Sequence, residues 1–204
     1  MKGWFAYKSK LGHTVTAMQV EGIYDTFLKL FQQITFDQVI EIGTAQAGTT
    51  LIVRDALNEC GNDSCKIITY DPNTGTRGME PYLSRGEIIK YDENIFNNVM
   101  DKIKEDASIH EYLNNSKKTL LLCDGGCKYR EFNLLSSFLK SGDFIMAHDY
   151  AHDKNFFNDY IKDKIWNWHE IEYSHIKNKF EENNLKHFMQ EEFSKKVWLC
   201  AEKQ

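Results

Sequence analysis

The sequence predicts a single α/β domain built on a doubly wound, mostly parallel sheet with an antiparallel closing strand. Three observations support this fold class. Five short apolar segments rich in β-branched residues are typical of buried strands, helix-like segments separate them, and a glycine-containing turn follows the first strand. We expect residues 1–204 to form one domain, because a chain of this length normally makes one core.

Composition narrows the classes of function. The net charge is −5 and no basic stripe occurs, so we expect no nucleic acid as a partner. No apolar run reaches the length of roughly 18 residues that a membrane span needs, so we expect no membrane association. Five cysteines, an odd number, and an N-terminal segment without a signal-peptide core predict reduced thiols and a cytoplasmic location.

Residues 1–33 are predicted to form an N-terminal arm and a helix. Residues 1–13 show no regular periodicity, and aromatic residues such as Trp4 make this arm a candidate surface for packing or for contact in a homodimer. Apolar residues recur at helical spacing in residues 14–33. This pattern predicts an amphipathic helix that leads into the first strand.

The first strand, at residues 39–42, is followed by a turn and by a helix that extends to about Asn58. Such a turn suits nucleotide-like ligands, because glycine lets the backbone approach the ligand and the first N–H groups of the helix are unpaired. The pattern G-x-G-x-x-G is incomplete here, since Ala45 stands at the middle glycine position. That substitution weighs against NAD or FAD. The acid Glu41 inside the strand favours a ligand that carries positive charge.

Strands and helices alternate along the rest of the chain. The expected core strands are residues 66–71, 87–91, 119–123 and 144–147, with helices at residues 94–106 and 129–139 and a loop with at most one helical turn at residues 72–86. The expected C-terminal elements, in residues 151–204, are a helix near residues 156–165, an extended segment at 166–176, a polar helix and a last strand at 196–201.

Acidic residues mark the ends of the five core strands. They are Glu41, Asp71, Asp92, Asp124 and Asp149. Because the carboxyl ends of parallel strands meet at one edge of a sheet, we expect these acids to surround one ligand. Asp71 lies 23 residues after Gly48, a position that suits hydrogen bonds to ribose hydroxyls. The alternative is an ordinary turn residue before Pro72.

Two segments resemble a known superfamily. VIEIGTAQAGTTL resembles the first motif of class I S-adenosylmethionine (SAM)-dependent methyltransferases. LLLCDGGCKYREFNLLSSFLKSGDFIMAHDY is similar to the segment from the fourth to the fifth strand of the branch that groups cephalosporin hydroxylase-like proteins and small-molecule O-methyltransferases. The resemblance covers roughly residues 35–150 and makes residues 34–150 the cofactor-binding core.

The resemblance implies a Rossmann-like class I methyltransferase fold and a function. SAM would be the cofactor, and a small-molecule hydroxyl, on a sugar or a natural-product intermediate, would accept the methyl group. The implied cofactor-binding residues are Glu41, Gly43, Thr44, Gly48, Thr49, Asp71 and Asp92.

The resemblance also implies a catalytic site. In metal-dependent members an Asp after the fourth strand and an acidic or amide pair after the fifth hold a divalent cation, and the matching positions are Asp124, His148 and Asp149. Mg²⁺ or another divalent cation there would lower the pKa of the acceptor hydroxyl. Cys127 and His148 depart from the pattern, which leaves metal binding open. Without a metal, His148 is the candidate general base.

Two other functions stay open on the sequence. One is a nicotinamide-dependent oxidoreductase, which the missing middle glycine disfavours. The other is a catalytically inert nucleotide-binding protein that shares the fold, which the departures at Cys127 and His148 leave open.

Overall fold

A computed structural model describes residues 3–72, 75 and 78–204 of the chain. Within those residues the backbone forms thirteen strands. They are β1 (Phe5–Lys8), β2 (Thr14–Ala17), β3 (Gln38–Ile42), β4 (Lys66–Tyr70), β5 (Ile88–Tyr91), β6 (Phe96–Asn97), β7 (Lys102–Ile103), β8 (Thr119–Cys123), β9 (Phe144–Ala147), β10 (Tyr150–Ala151), β11 (Ile171–Glu172), β12 (Leu185–His187) and β13 (Leu199–Lys203).

Helices connect these strands. They are α1 (Ile23–Gln33), α2 (Gly48–Glu59), α3 (Glu80–Ser84), α4 (Ile109–Leu113), α5 (Lys128–Leu135), α6 (Lys154–Phe156), α7 (Tyr173–Glu182) and α8 (Gln190–Ser194), with a 3₁₀ turn at Ser136–Phe138 and a π-helical turn at Phe157–Ile161. None of the described helices has the length and apolar character needed to cross a membrane.

Seven strands form the central sheet, in the order β12–β13–β9–β8–β3–β4–β5. The strands from β9 to β5 are parallel, and β13 runs antiparallel to both of its neighbours. From β3 the chain builds outward to β5 and then returns to β8 on the other side of β3. The predicted fold class is therefore confirmed, including the antiparallel closing strand. Ligands of such sheets bind where the order reverses, beyond the carboxyl ends of β3 and β8.

The central strands are buried on both faces. Along β3, Val39 packs with the cluster that contains α1 and α2, whereas Ile40 and Ile42 pack with the cluster that contains α5 and α7. A parallel strand covered on both sides can be apolar at every position. This explains why β8 is apolar from Leu120 to Cys123 in the sequence.

The N-terminal region differs from the prediction. Residues 3–17 contain the antiparallel hairpin β1–β2, in which Phe5 pairs with Ala17 and Lys8 with Thr14. The side chains of β2 alternate between exposed and buried, which is the period of a strand. The expected arm is thus a hairpin, and the expected helix over residues 14–33 begins only at Ile23, after a left-handed Gly22.

The segment expected to be a helix at residues 94–106 is a short hairpin, β6–β7, and the nearest helix is α4. The side chain of Asn97 accepts hydrogen bonds from the backbone N–H groups of Val99 and Met100, at 3.1 and 3.2 Å. An asparagine that bonds its own backbone in this way favours a turn over a helix.

The C-terminal region also differs in detail. The helix expected near residues 156–165 is limited to α6 and the π-helical turn, and the extended segment at 166–176 contains only the two-residue strand β11. α7 begins at Tyr173 because the side chains of Glu172 and His175 form a capping box there. The closing pair of strands is β12 with β13, one element later than the sequence pattern suggested.

Candidate active site

Two cavities open at the carboxyl ends of β3, β4 and β8. Cavity A, about 290 Å³, is bordered by the segment after β2, by the residues after β9 and by Trp166. Cavity B, about 380 Å³, is bordered by the segment after β5, by β6 and by α5. Both are lined by Gly43, Asp71, Gly125 and Gly126. The cavities therefore adjoin at the turns that follow β3, β4 and β8.

Glycines let these turns pack closely. Gly43 has φ +96°, and a Cβ there would lie 2.2 Å from the carbonyl oxygen of Asp124. A Cβ on Gly48, the first residue of α2, would lie 2.5 Å from the Cα of Ala17 at the end of β2. Neither position tolerates a side chain without backbone movement. Helix α2 has no side-chain cap, so the N–H groups of its first turn remain for a ligand.

The turn between β3 and α2 has left-handed backbone conformations that usually require glycine, although it lacks the middle glycine of the pattern. Ala45 and Ala47 both have left-handed backbones, with φ 44° and 61°. The N–H of Ala45 donates to Oδ2 of Asp71 at 3.0 Å, which ties this turn to the end of β4. Asp71 thus supports the turn after β3 and lines both cavities.

A hydrogen-bonded Asp–His pair lies at the wall of cavity A. Nδ1–H of His148 donates to Oδ1 of Asp124 at 2.9 Å. The other carboxylate oxygen of Asp124 accepts from Nε2–H of Gln19 and from the hydroxyl of Thr49, both at 3.1 Å. The strands β8 and β9 are adjacent and parallel, so the residues that follow them are brought together. Gln19 comes from the segment after β2, which crosses this edge of the sheet.

The imidazole of His148 is buried with one nitrogen unpaired. Its ring packs against Trp166 and Trp198, with ring centroids 5.2 and 4.8 Å away. Nε2 has no hydrogen-bond partner among the described residues. Burial lowers the pKa of His148, but the carboxylates of Asp124 and Asp149 outweigh burial and raise it above its ordinary value. The pair is thus a buried base held in one tautomer.

Lys128 forms a second charged group beside this pair. Its Nζ lies 2.9 Å from Oδ2 of Asp149 and 3.0 Å from Oε2 of Glu170. Oδ1 of Asp149 accepts a hydrogen bond from the indole N–H of Trp166. Burial lowers the pKa of Lys128, but Asp149 and Asp124 more than compensate and raise it. The ammonium group therefore stays charged at any physiological pH.

Comparison with solved structures reveals the fold family. An apo structure of CmcI matches with a TM-score of 0.65 at 11% identity, over 97% of this chain and 76% of that chain. CmcI with Mg and SAM gives 0.61 at 12%, over 96% and 76%. An O-methyltransferase family protein from Burkholderia thailandensis gives 0.55 at 9%, over 89% and 55%. The chain has the class I methyltransferase fold. The sequence itself matches no protein-family model and no curated protein.

In this methyltransferase fold, Glu41 lies behind the wall of the site and not in it. It is fully buried and is not among the residues that line either cavity. Its Oε2 accepts hydrogen bonds from the hydroxyls of Thr50 and Thr69, both at 2.6 Å. Burial raises the pKa of Glu41 to about 7, although these two hydrogen bonds lower it. The side chain fastens β3 to β4 and α2, and it does not line the cavities where we expected it to meet the cofactor.

The acid after β5 is also displaced from its expected place. The side chain of Asp92 is 71% exposed and pairs with Lys90. The neighbouring Glu93 lines cavity B instead and accepts a hydrogen bond from the hydroxyl of Ser108. The strand ends at Tyr91, as expected, but the residue that reaches the cavity is Glu93 and not Asp92.

The remaining expected cofactor residues lie at the wall of cavity A. They are Gly43, Thr44, Gly48, Thr49 and Asp71, and Gly43 and Asp71 line cavity B as well. The structure therefore brings five of the seven residues that the sequence suggested for the cofactor to one place.

Asp124, His148 and Asp149 do come together, but their arrangement does not fit a divalent cation. Both oxygens of Asp124 and both oxygens of Asp149 already accept hydrogen bonds from protein donors, and Nδ1 of His148 is one of those donors. Among the described residues, no group of three or more His, Cys, Asp or Glu side chains is arranged to hold a metal ion. Lys128 supplies the positive charge that the carboxylates need.

Sequence reasoning missed Lys128, Gln19 and Glu170. Lys128 carried a signal, since a lysine that follows a D-G-G turn at a predicted catalytic edge is a candidate partner for the acids there. Gln19 lay inside a predicted helix, and Glu170 in a segment without motif character, so neither carried one.

Proposed function

We propose that the chain is a SAM-dependent methyltransferase that acts on a hydroxyl of a small molecule, such as a sugar or a natural-product intermediate. The observation that carries the proposal is the buried Asp124–His148 pair: His148 lines the cavity that Gly43 and Asp71 also line, and its Nε2 has no partner among the described residues. A hydroxyl donor that enters this cavity would supply the missing partner of Nε2. The methyltransferase fold of the chain supports the choice of cofactor.

The residues at the turns fit this cofactor. Gly43 places no side chain at the edge that the two cavities share, and the uncapped start of α2 offers N–H groups to a carboxylate. Asp71 would accept hydrogen bonds from ribose hydroxyls, and cavity B, with Ile95 and Phe96, would take the adenine ring. When bound, SAM supplies a methyl carbon that is electrophilic because it is attached to a sulfonium.

The chain's own residues would supply deprotonation and orientation. Nε2 of His148 would take the proton of the acceptor hydroxyl, which would make its oxygen a better nucleophile toward the methyl group that SAM would supply. Asp124 would hold the imidazole in the required tautomer and stabilise its protonated form, because it accepts the Nδ1–H. Gln19 and Thr49 would fix Asp124 through its second oxygen.

The walls of cavity A favour a small polar acceptor. Trp166 and Trp168 provide aromatic faces, and Lys128 and Glu170 provide charged groups. Aromatic faces beside carboxylates and donors suit a hydroxylated ring. A volume of about 290 Å³ is at the lower end of small-molecule sites, which makes a macromolecular acceptor a poor fit.

The first test is calorimetric titration of the protein with SAM, S-adenosylhomocysteine and NAD. We expect the two adenosyl compounds to bind and NAD not to bind. Binding of NAD alone would favour an oxidoreductase and overturn the proposal. His152→Gln is the control variant, because the side chain of His152 is 63% exposed. It should bind SAM and S-adenosylhomocysteine as the wild type does.

The second test measures the S-adenosylhomocysteine that is formed from SAM in the presence of a panel of hydroxylated acceptors. His148→Gln should lower kcat by about 10²–10⁴-fold, the usual contribution of a general base, with little change in the affinity for SAM. Because a raised pKa keeps His148 protonated at low pH, the wild-type rate should increase with pH through a midpoint above 6.5. A rate that His148→Gln leaves unchanged would refute the assignment.

A further inference from the structure

Lys128 lies where carboxylates converge at the candidate active site. It is the first residue of α5, and its side chain is only 9% exposed. Its Nζ contacts Asp149 and Glu170 at 2.9 and 3.0 Å, and the charge of Asp124 also acts on it. A buried ammonium group is costly unless opposite charges compensate it, so this lysine is held for its charge.

We propose that the ammonium group of Lys128 is the resident cation of this site and takes the place of a divalent metal. The inference rests on the proposed function only where it gives Lys128 a role in catalysis. The geometry of the cation site does not depend on the proposed function. The group neutralises Asp149 and Glu170, and it lines cavity A together with His148. A methyl transfer in this cavity then proceeds with His148 as the base and without a metal.

The donor set supports lysine over metal. Divalent cations such as Mg²⁺ need several free oxygen ligands in a near-octahedral arrangement. Here the oxygens of Asp124 face Gln19, Thr49 and His148, and Oδ2 of Asp149 faces Lys128. A metal ion beside Lys128 would bring two cations together, and the oxygens of Asp124 and Asp149 already have protein partners.

Removal of the lysine side chain should therefore reopen the site. In Lys128→Ala, the carboxylates of Asp149 and Glu170 lose their counter-charge and face the vacated volume beside Asp124. Two or three carboxylates around such a volume are the ligands that Mg²⁺ and Mn²⁺ prefer. We expect this variant to bind a divalent cation that the wild-type protein does not bind.

The experiment is a titration of the full chain with Mn²⁺, followed by the electron paramagnetic resonance signal of free Mn²⁺. Lys128→Ala should bind one Mn²⁺ at least tenfold more tightly than the wild type, and Mg²⁺ should compete for it. Lys128→Arg, which keeps the charge, and Lys195→Ala, whose side chain is 65% exposed, should behave like the wild type. Double substitution with Asp149→Asn should abolish the gained binding.

The readout is independent of methyl transfer, so failure of the proposed function and failure of this inference are distinguishable. Tight binding of Mn²⁺ by the wild type, lost in Asp124→Asn, would overturn the inference even if SAM binds. Equal, weak binding by the wild type and a folded Lys128→Ala would also overturn it. If Lys128→Ala does not fold, Lys128→Gln, which keeps most of the side chain and removes its charge, is titrated in the same way, and the wild-type titration itself still decides.

Discussion

Glu41→Gln is a sensitive test of the charge buried beneath the candidate site. The carboxyl of Glu41 is fully buried, and Oε1 has no partner among the described residues. Its other oxygen accepts from Thr50 and Thr69, and the carbonyl of a glutamine can accept the same two hydrogen bonds. The substitution therefore removes the ionisable group while it keeps the shape and the two contacts.

The magnitude follows from the raised pKa. Burial, the largest cause, moves the pKa of Glu41 from 4.5 to about 7, which at roughly 1.4 kcal/mol per pKa unit is worth about 3 kcal/mol. Below pH 4.5 the carboxyl is protonated in the folded and the unfolded chain, so its ionisation does not lower the free energy of unfolding. As the pH rises to about 7 the unfolded chain ionises first, and the folded chain progressively loses stability. Between pH 5 and pH 8 this loss amounts to about 2.5 kcal/mol.

The assay is urea denaturation of both proteins at pH 5 and pH 8. The free energy of unfolding of Glu41→Gln relative to wild type should improve by about 2.5 kcal/mol between the two pH values. The constant cost of a buried, unpaired amide, about 1–3 kcal/mol, cancels in this comparison. Glu192→Gln, an exposed position on α8, measures the same chemical change without burial. Parallel pH profiles for wild type and Glu41→Gln would refute the reasoning.

Two further predictions concern the turn and the N-terminal hairpin. Ala45→Gly should raise the free energy of unfolding by about 0.5 kcal/mol, because Ala45 is exposed with φ 44° and relief of left-handed strain exceeds the added entropy of the unfolded chain; a lower melting temperature would contradict this. Asp55→Ala should cost about 3 kcal/mol in urea denaturation, since the buried carboxylate accepts from the hydroxyls of Tyr7 and Tyr82 and from the N–H of Lys10. A loss under about 1 kcal/mol would show that water replaces these contacts.

The sheet could be predicted because only a few residue types are suited to its buried strands. A strand covered by helices on both faces is expected to be apolar at nearly every position. β8 and β9 meet this expectation, whereas β3 contains the buried polar residues Gln38 and Glu41. Their order along the chain, with helices between, then leaves few topologies. The position of the site at their carboxyl ends followed from the same argument, which is why Asp71, Asp124 and Asp149 were expected where the structure places them.

The errors have local physical causes. Residues 14–33 contain apolar side chains at both strand and helix spacing, and the pairing of β2 with β1 decides between them. Residues 94–106 do not form the expected helix, because the side chain of Asn97 accepts hydrogen bonds from the backbone N–H groups of Val99 and Met100. In both segments the structure is decided by local hydrogen bonds or strand pairing. These contacts are weaker than apolar packing, and the spacing of apolar residues does not reveal them.

The charged arrangement of the site depends on contacts that no sequence pattern carries. Gln19 donates a hydrogen bond to Asp124, 105 residues later in the sequence, and accepts one from the indole of Trp198, 179 residues later. One side chain therefore joins the segment that follows β2 to the end of β8 and the start of β13. The hairpin also rests on Gly48, where only glycine allows Ala17 to approach. The N-terminal residues are therefore part of the site and not an arm beside it. Loss of the hairpin would free Oδ2 of Asp124 from one of its two donors and expose the Asp124–His148 pair to water, which weakens charge–charge interactions.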